Sequence, residues 1–185
     1  MNIFVIATAS RASGALSIYS QFIEALSVQP TTDKYYIFVD PSMPQPALPN
    51  VRYVSVDTRG VRRVWFDFWG FKRIVKQINI APQLILSFQN TGVRYPKVSQ
   101  IVYFHNIIPL HNKLWNPFRK VSRTLFFYAS LYPYYMRMLI NKRMNVVVQA
   151  DFIKPMFVDK FKFPPEQVHV VRPRIGTTEP KDNLG

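Results

Sequence analysis

Short apolar runs alternate along this chain with segments of helical spacing, and the alternation narrows the possible folds more than any other feature. Residues 2–8 form an uninterrupted apolar run that ends in small polar residues. Such a run is typical of a strand buried on both faces of a parallel sheet. Six further short runs are predicted to be strands: 34–40, 51–56, 84–88, 101–104, 146–148 and 168–171.

The segments between these runs have apolar residues three and four positions apart, as amphipathic helices do. One helix is predicted after the first strand. A second covers 61–79, with Val64, Phe68, Phe71, Val75 and Ile78 on one face. A long helix is predicted over 118–143, interrupted by Pro133, and another over 152–161. The fold class is therefore α/β, a doubly wound, mainly parallel sheet of the Rossmann-like kind.

The length of 185 residues suits one domain and is too short for two Rossmann-like domains. We assign residues 1–175 to that domain. Residues 176–185 are polar and are interpreted as a linker or tail to an absent C-terminal domain. Apolar residues make up 48% of the chain, which excludes a mainly disordered protein.

Positive charge is concentrated in the middle of the chain. The net charge is +14, and twelve Lys and Arg residues but no Asp or Glu lie between Asp67 and Asp151. These basic residues have no acidic residue near them in the sequence, so we expect them to bind anions of another molecule. Phosphate is the expected anion. An anionic bilayer, a lipid-linked pyrophosphate, a nucleotide diphosphate and nucleic acid all fit, and a solvated basic face is the alternative.

Several classes of site are disfavoured by residues that the chain lacks. It contains no cysteine, and its three histidines show no metal-ligand spacing, so no metal is expected. No carboxylate pair lies at the strand ends, which argues against a glycosidase. The first loop is neither a G-x-G-x-x-G fingerprint nor a P-loop. The uncharged stretch 124–136 is too short to span a bilayer.

Ligands of open parallel sheets bind beyond the carboxyl ends of the strands, so the loops there supply the candidate residues. Arg11, Ser13 and Gly14 follow the first strand and lead into a helix N-terminus, where free N–H groups receive anions. The alternative is that Ser13 caps the helix and Gly14 relieves a tight turn.

His105 and Asn106 follow a later strand and precede a turn fixed by Pro109. An imidazole and an amide at this place suit a sugar or phosphate contact, although a lone histidine is more often structural. Asn90 ends the neighbouring predicted strand and joins the candidate set.

An aromatic run over 125–132 lies between two basic clusters. Arg119, Lys120 and Arg123 precede the run, and three further basic residues follow it. This arrangement favours contact with a membrane surface or acceptor, and an ordinary helix covering the sheet is the alternative.

The order of these features resembles the N-terminal domain of family 4 glycosyltransferases with the two-Rossmann-domain (GT-B) architecture. The resemblance rests on the loop at 13–14, on 104–109 (FHNIIP), on 146–149 (VVVQ) and, above all, on 161–173 (FKFPPEQVHVVRP). It spans almost the whole chain, but each motif alone is weak.

The resemblance implies a retaining glycosyltransferase of hexosyl type, active in polysaccharide or lipopolysaccharide synthesis. Its nucleotide-sugar donor is a co-substrate, and no cofactor is expected. In this family the N-terminal half holds the acceptor, a glycan or a lipid-linked sugar, and a C-terminal domain with paired glutamates holds the donor. The chain alone is therefore expected to be inactive, and the location is expected to be cytoplasmic, peripheral to the inner face of the plasma membrane.

The resemblance also assigns roles to the candidate residues. The loop with Ser13 and Gly14 would face the donor phosphates or the acceptor, and Gln149 would bind substrate. His105 and Asn106 match a position where the family often has a His-Asp pair, and Asn106 in place of Asp weakens a general-base role there. The alternative function is a standalone basic α/β module that binds nucleotide, nucleic acid or anionic membrane, and no specific nucleic acid is expected for the transferase.

Overall fold

A computed structural model of the chain describes residues 1–11, 13–111, 115–116 and 118–172, without the side chains of Ser13, Lys120 and Val121. Seven strands form one sheet. They are β1 (Asn2–Ile6), β2 (Lys34–Val39), β3 (Val51–Ser55), β4 (Leu84–Ser87), β5 (Ser99–Phe104), β6 (Met144–Val148) and β7 (Val168–Val170).

Four helices accompany the sheet within the described residues. Helix α1 is Ser13–Val28 and helix α4 is Ile153–Phe161. Helix α2 covers 61–78 and contains a π-helical turn at Phe66–Gly70. Helix α3 covers 120–139 and contains a π-helical turn at Phe127–Leu131. Single 3₁₀ turns lie at Ile108–Leu110 and Pro165–Gln167.

All neighbouring strands pair in parallel, in the order β3-β2-β1-β4-β5-β6-β7. The order reverses direction between β1 and β4, so the loops after these strands separate and leave a crevice at the carboxyl edge. The doubly wound, all-parallel α/β sheet confirms the fold class expected from the sequence.

The central strand β1 buries side chains on both faces of the sheet. Phe4 and Ile6 belong to a core cluster that contains Phe66, Phe71 and Val75 of α2. Their neighbours Ile3 and Val5 belong to a second cluster, which contains Tyr19 and Ile23 of α1. Successive side chains of a strand point to opposite faces, so this division shows that α1 and α2 cover opposite faces. A third cluster joins β5, β6 and β7 to α3 and α4.

Both long helices differ from the sequence expectation where their π turns lie. In α2, Phe68, Phe71 and Val75 are buried as predicted, but Val64 is 44% exposed. The π turn lies between Val64 and Phe71 and places one extra residue in the helix, which shifts the phase of the apolar stripe. Val64 therefore lies on another face.

Helix α3 begins two residues later and ends four residues earlier than the predicted 118–143. Its last turn stops because Ile140 has an extended backbone (φ −65°, ψ 135°). Pro133 lies in the first turn after the π turn. A proline, which has no backbone N–H, is tolerated in a first helical turn. The interruption expected at Pro133 therefore appears as a π turn just before it.

The predicted tail 176–185 lies outside the described residues and stays a prediction. Among the helices that the structure describes, none combines the length and the apolar character needed to cross a membrane.

Candidate functional site

A cavity of about 770 Å³ opens at the carboxyl edge of the sheet, across the point where the strand order reverses. Its walls come from the loops after β1, β3, β4 and β5 and from α2 and α3. The residues that line it are Ala9, Arg11, Thr58, Gly60, Val61, Arg63, Val64, Phe88, Gln89, Asn90, His105, Asn106, Phe127, Tyr128, Leu131, Tyr132 and Tyr135. Among the described residues, the lining includes no Asp or Glu.

Asn90 joins the ends of β4 and β5 on one wall of the cavity. Its Oδ1 accepts the backbone N–H of His105 at 2.7 Å and that of Asn106 at 3.0 Å. Its φ of 64° is in the left-handed region, which asparagine enters more readily than most residues. One side chain thus fixes the backbone that carries both predicted catalytic residues.

The same asparagine determines which ring nitrogen of His105 carries the proton. Because Asn90 Oδ1 accepts two backbone N–H groups, the amide nitrogen faces His105 Nε2, at 3.3 Å. Nε2 is then the acceptor, and the neutral ring carries its proton on Nδ1. Nδ1 is buried and, within the described residues, has no hydrogen bond of normal geometry.

Burial lowers the pKa of His105, and the nearby Tyr103 backbone carbonyl only partly offsets this effect. The ring is therefore neutral near pH 7. A neutral imidazole is the form needed by a general base or by a group that binds a hydroxyl. Proton transfer at Nε2 would require Asn90 to give up its hydrogen bond.

Asn106 lies beside His105 and makes a local turn. Its Oδ1 accepts the N–H of Ile108 at 3.1 Å, which leads into the 3₁₀ turn with Pro109. Its side-chain nitrogen has no partner among the described residues, and the residue lines the cavity. An amide cannot act as a base, so Asn106 is suited to donate a hydrogen bond to a ligand.

A buried ion pair forms the floor of the cavity between α2 and α3. Arg63 Nε donates to Asp67 Oδ2 at 2.7 Å, and Asp67 is fully buried. Gln89 Nε2 donates to Asp67 Oδ1 at 3.0 Å, and the Tyr135 hydroxyl also donates to this carboxylate. Arg63 Nη2 donates to Thr91 Oγ1 at 2.8 Å and to the Gln89 carbonyl at 3.2 Å.

This network fixes the charge state of Arg63. Burial opposes a charged guanidinium, but the Asp67 carboxylate together with Tyr132 and Tyr135 more than offsets burial, so the pKa of Arg63 is raised. Arg63 is thus a cation in the lining, paired on its inner side. No partner is recorded for Nη1 within the described residues, which leaves two N–H donors for a ligand.

Sequence reasoning missed this floor, because Asp67 served only to mark the start of the basic block. One signal was available: Asp67 is a single carboxylate between Phe66 and Phe68 on an apolar helix face, four residues after Arg63. Buried carboxylates need such a partner. The participation of Gln89, Thr91 and Tyr135 has no comparable sequence signal.

The structure brings Arg11, Asn90, His105 and Asn106 together in the cavity. Arg11 also lies near Asp40, with 3.5 Å between Nη1 and Oδ2. Burial would raise the pKa of Asp40, but hydrogen bonds from Ser42 and the charges of Arg11 and Arg59 lower it. Arg11 therefore lines the cavity and also lies beside the Asp40 carboxylate.

Among the other predicted site residues, the described side chains of Gln149, Arg119 and Arg123 do not line the cavity. Ser13 begins α1, and Gly14 is exposed in its first turn, with open space where a Cβ would be. Gln149 follows β6 and lies near Tyr103. Arg119 is exposed just before α3, and Arg123 is exposed within it. Lys120 begins α3, and its side chain lies outside the described residues.

The part of the chain that the structure describes contains no group of three His, Cys, Asp or Glu residues able to hold a metal ion. Comparisons with protein-family models and with curated proteins found no match to this chain. The assignment of the cavity therefore depends on its geometry and its residues.

Proposed function

We propose that this chain is the acceptor-side domain of a retaining glycosyltransferase, which transfers a sugar from a nucleotide-sugar donor to a glycan or lipid-linked acceptor. The observation that carries the proposal is the cavity at the carboxyl edge of the sheet. It combines aromatic walls with neutral hydrogen-bonding groups and two arginines, and it lacks carboxylates among its described residues.

The lining matches the two surfaces of a pyranose. A sugar ring presents C–H groups on its faces and hydroxyl groups around its edge. The C–H faces can pack against the aromatic rings of Phe88, Tyr128 and Tyr132. Asn106 offers an amide donor, and the His105–Asn90 pair offers polar groups in a fixed orientation. Aromatic walls combined with polar groups that converge on one cavity are a common composition of a small-molecule site.

The proposal gives each candidate a role. His105 and Asn106 contact the transferred sugar or position the acceptor hydroxyl. Arg11 and the N-terminus of α1 with Ser13 and Gly14 face the donor phosphates, because a helix N-terminus favours anions. The donor itself is held chiefly by a second domain with paired glutamates, so this domain binds without catalysing by itself.

Sugar binding to this domain can be measured by NMR. Methyl pyranosides of glucose, galactose, mannose and N-acetylglucosamine are titrated while the amide signals of Asn90, His105 and Asn106 are followed. His105→Ala should weaken binding about three- to tenfold, because it removes a ring that lines the cavity and the hydrogen bond that orients the Asn90 amide. The matched control is His169→Ala, because His169 is exposed on β7 and bonded to Asn145. Equal effects of the two substitutions, or no shifts with any sugar, would contradict the proposal.

The basic middle block supports a peripheral location on an anionic membrane. Arg119 and Arg123 are exposed at the start of α3, next to Phe118, which is 95% exposed. Binding to anionic but not neutral vesicles, weakened by salt, is expected in co-sedimentation. If the protein co-sediments with neither kind of vesicle, this part of the proposal is wrong.

The net charge of +14 favours one other function, a standalone basic module that binds nucleotide, nucleic acid or anionic membrane. Such a module would bind generic duplex or single-stranded nucleic acid tightly, with a steep dependence on salt. The transferase domain should associate with nucleic acid only weakly. A salt titration of binding to a generic duplex separates the two functions.

A further inference from the structure

The mouth of the cavity has an apolar rim, although its interior is polar. Four lining residues are both apolar and exposed: Val61 by 84%, Val64 by 44%, Phe127 by 47% and Leu131 by 52%. Exposed apolar groups that adjoin a site usually mark a surface that a ligand or partner covers. We call these four residues the rim.

The rim flanks the mouth from two sides. Val61 and Val64 belong to α2, and Phe127 and Leu131 belong to the π turn of α3. The two helices are joined below the mouth by the hydrogen bond from Tyr135 to Asp67 and by the rings of Phe68 and Tyr135, 6.1 Å apart. The two halves of the rim are therefore held at fixed positions beside one opening.

Two tryptophans extend the apolar surface along α2. Trp65 is 46% exposed and Trp69 is 57% exposed. Gly70 lets the Trp65 ring lie against the helix, since a Cβ there would come within 2.4 Å of Trp65 Cζ3. Tryptophan is favoured where an apolar region meets water, as at the surface of a lipid.

The exposed charge on the two rim helices is positive. Exposed basic residues lie on both helices: Arg62, Lys72, Arg73, Lys76 and Arg123. One of them, Arg62, pairs with Asp57 just before α2. The only acidic residue in the helical ranges 61–78 and 120–139 is Asp67, which is buried. An apolar surface on two helices whose exposed charge is positive suits an anionic amphiphile better than a free glycan, which has no hydrocarbon to cover the rim.

We infer that the acceptor is a lipid-linked sugar phosphate, whose sugar enters the cavity while its hydrocarbon chain lies on the rim. This inference rests on the proposed function and chooses between its two acceptor classes. The polar interior takes the sugar, the basic residues of α2 and α3 face the phosphate, and the rim covers the first part of the chain. Each buried methylene adds to the affinity, so the chain increases binding.

The test compares a sugar with and without a chain. Methyl and octyl pyranosides of the same four sugars are titrated below the micelle-forming concentration, again with the amides of Asn90 and His105 as reporters. The octyl compound should bind at least about tenfold more tightly. Full burial of two methylenes is already enough to give this factor. The tenfold advantage should disappear in Val64→Ser and in Phe127→Ser.

Phe152→Ser is the matched control, because Phe152 is 60% exposed just before α4 and does not line the cavity. It should keep the full advantage of the octyl chain. Equal affinities of methyl and octyl compounds, both shifting Asn90, would overturn the inference and leave the proposed function intact. An equal loss of the octyl advantage in Phe152→Ser and the rim variants would also overturn it. If no compound shifts these amides, both the inference and the proposed function fail.

Discussion

The floor and the strand-end wall of the cavity are both polar, but they differ in how completely their groups are paired. On the floor, the Asp67 carboxylate accepts from Arg63, Gln89 and Tyr135, and it is sealed from solvent. On the wall, the His105 ring has one hydrogen bond of 3.3 Å, and Nδ1 has none of normal geometry among the described residues.

The Asp67 carboxylate is bonded on both oxygens, so loss of one of its partners would leave a buried group without a hydrogen bond. The polar groups that can bond to a ligand are donors of lining residues without a partner among the described residues: the Asn106 amide on the wall and Arg63 Nη1 on the floor. We therefore expect the floor mainly to hold α2 against α3 and β4, and the wall mainly to contact a bound molecule. Substitutions in the two regions should therefore change different measurements.

The largest effect is expected from Asp67→Ala, which leaves the buried Arg63 cation without its counterion. We expect a loss of about 3 to 5 kcal/mol in the free energy of unfolding, measured by urea denaturation. Asp57→Ala is the control, because Asp57 pairs with exposed arginines at the protein surface. If the two variants lose equal stability, the floor is not the structural part of the cavity.

A smaller loss of stability is expected at the wall from Asn90→Ala, which removes the acceptor of two backbone N–H groups and places a Cβ-bearing residue in the left-handed region. The expected loss is about 2 to 3 kcal/mol. Asn90→Gly should lose about 1 kcal/mol less, since glycine adopts this conformation without strain. Equal stability of the two variants in urea denaturation would show that the backbone conformation contributes nothing.

The neutral state of His105 should make stability depend on pH. Its pKa is lowered in the folded chain, so the unfolded chain binds more protons below its ordinary pKa of about 6.5. The contribution is present above that value and is lost as the pH falls toward 5. His105→Gln should flatten the urea-derived stability between pH 7.5 and pH 5, whereas His169→Gln should retain the wild-type slope. A wild-type slope in His105→Gln would contradict the assignment.

The smallest effect is expected from Arg11→Gln, at the edge of the wall. Arg11 is 37% exposed and 3.5 Å from Asp40, so its ion pair should contribute less than about 1 kcal/mol to stability. Urea denaturation should hardly distinguish this variant from Arg52→Gln, an exposed arginine on β3 outside the cavity. A loss as large as that of Asp67→Ala would place Arg11 in the structural network.

The sequence predicted all seven strands and the four helices, because buried parallel strands and amphipathic helices each leave a periodic apolar pattern. It also placed Asn90, His105 and Asn106 at strand ends, where the topology brings them together. It did not predict that Asn90 Oδ1 binds both backbone N–H groups of the β5 loop, since no periodicity encodes a loop conformation.

The complete floor network and the rim could not be predicted from the sequence for a common physical reason. Both arise where α2 meets α3, and Asp67 and Tyr135 are distant in sequence. The phase shift at the π turn of α2 also moved Val64 from its expected buried face to the mouth of the cavity. A regular 3.6-residue repeat cannot represent a helix that locally contains one extra residue.

The π turn in α3 makes the cavity sensitive to the length of the polypeptide as well as to its side chains. Removing one residue from Phe127–Leu131 would restore regular winding and rotate the N-terminal part of the helix by about 100° relative to its C-terminal part. Tyr132 and Tyr135 could then no longer share a wall with Tyr128. A single-codon deletion at this point would thus reshape the binding surface while leaving the composition of the helix almost unchanged.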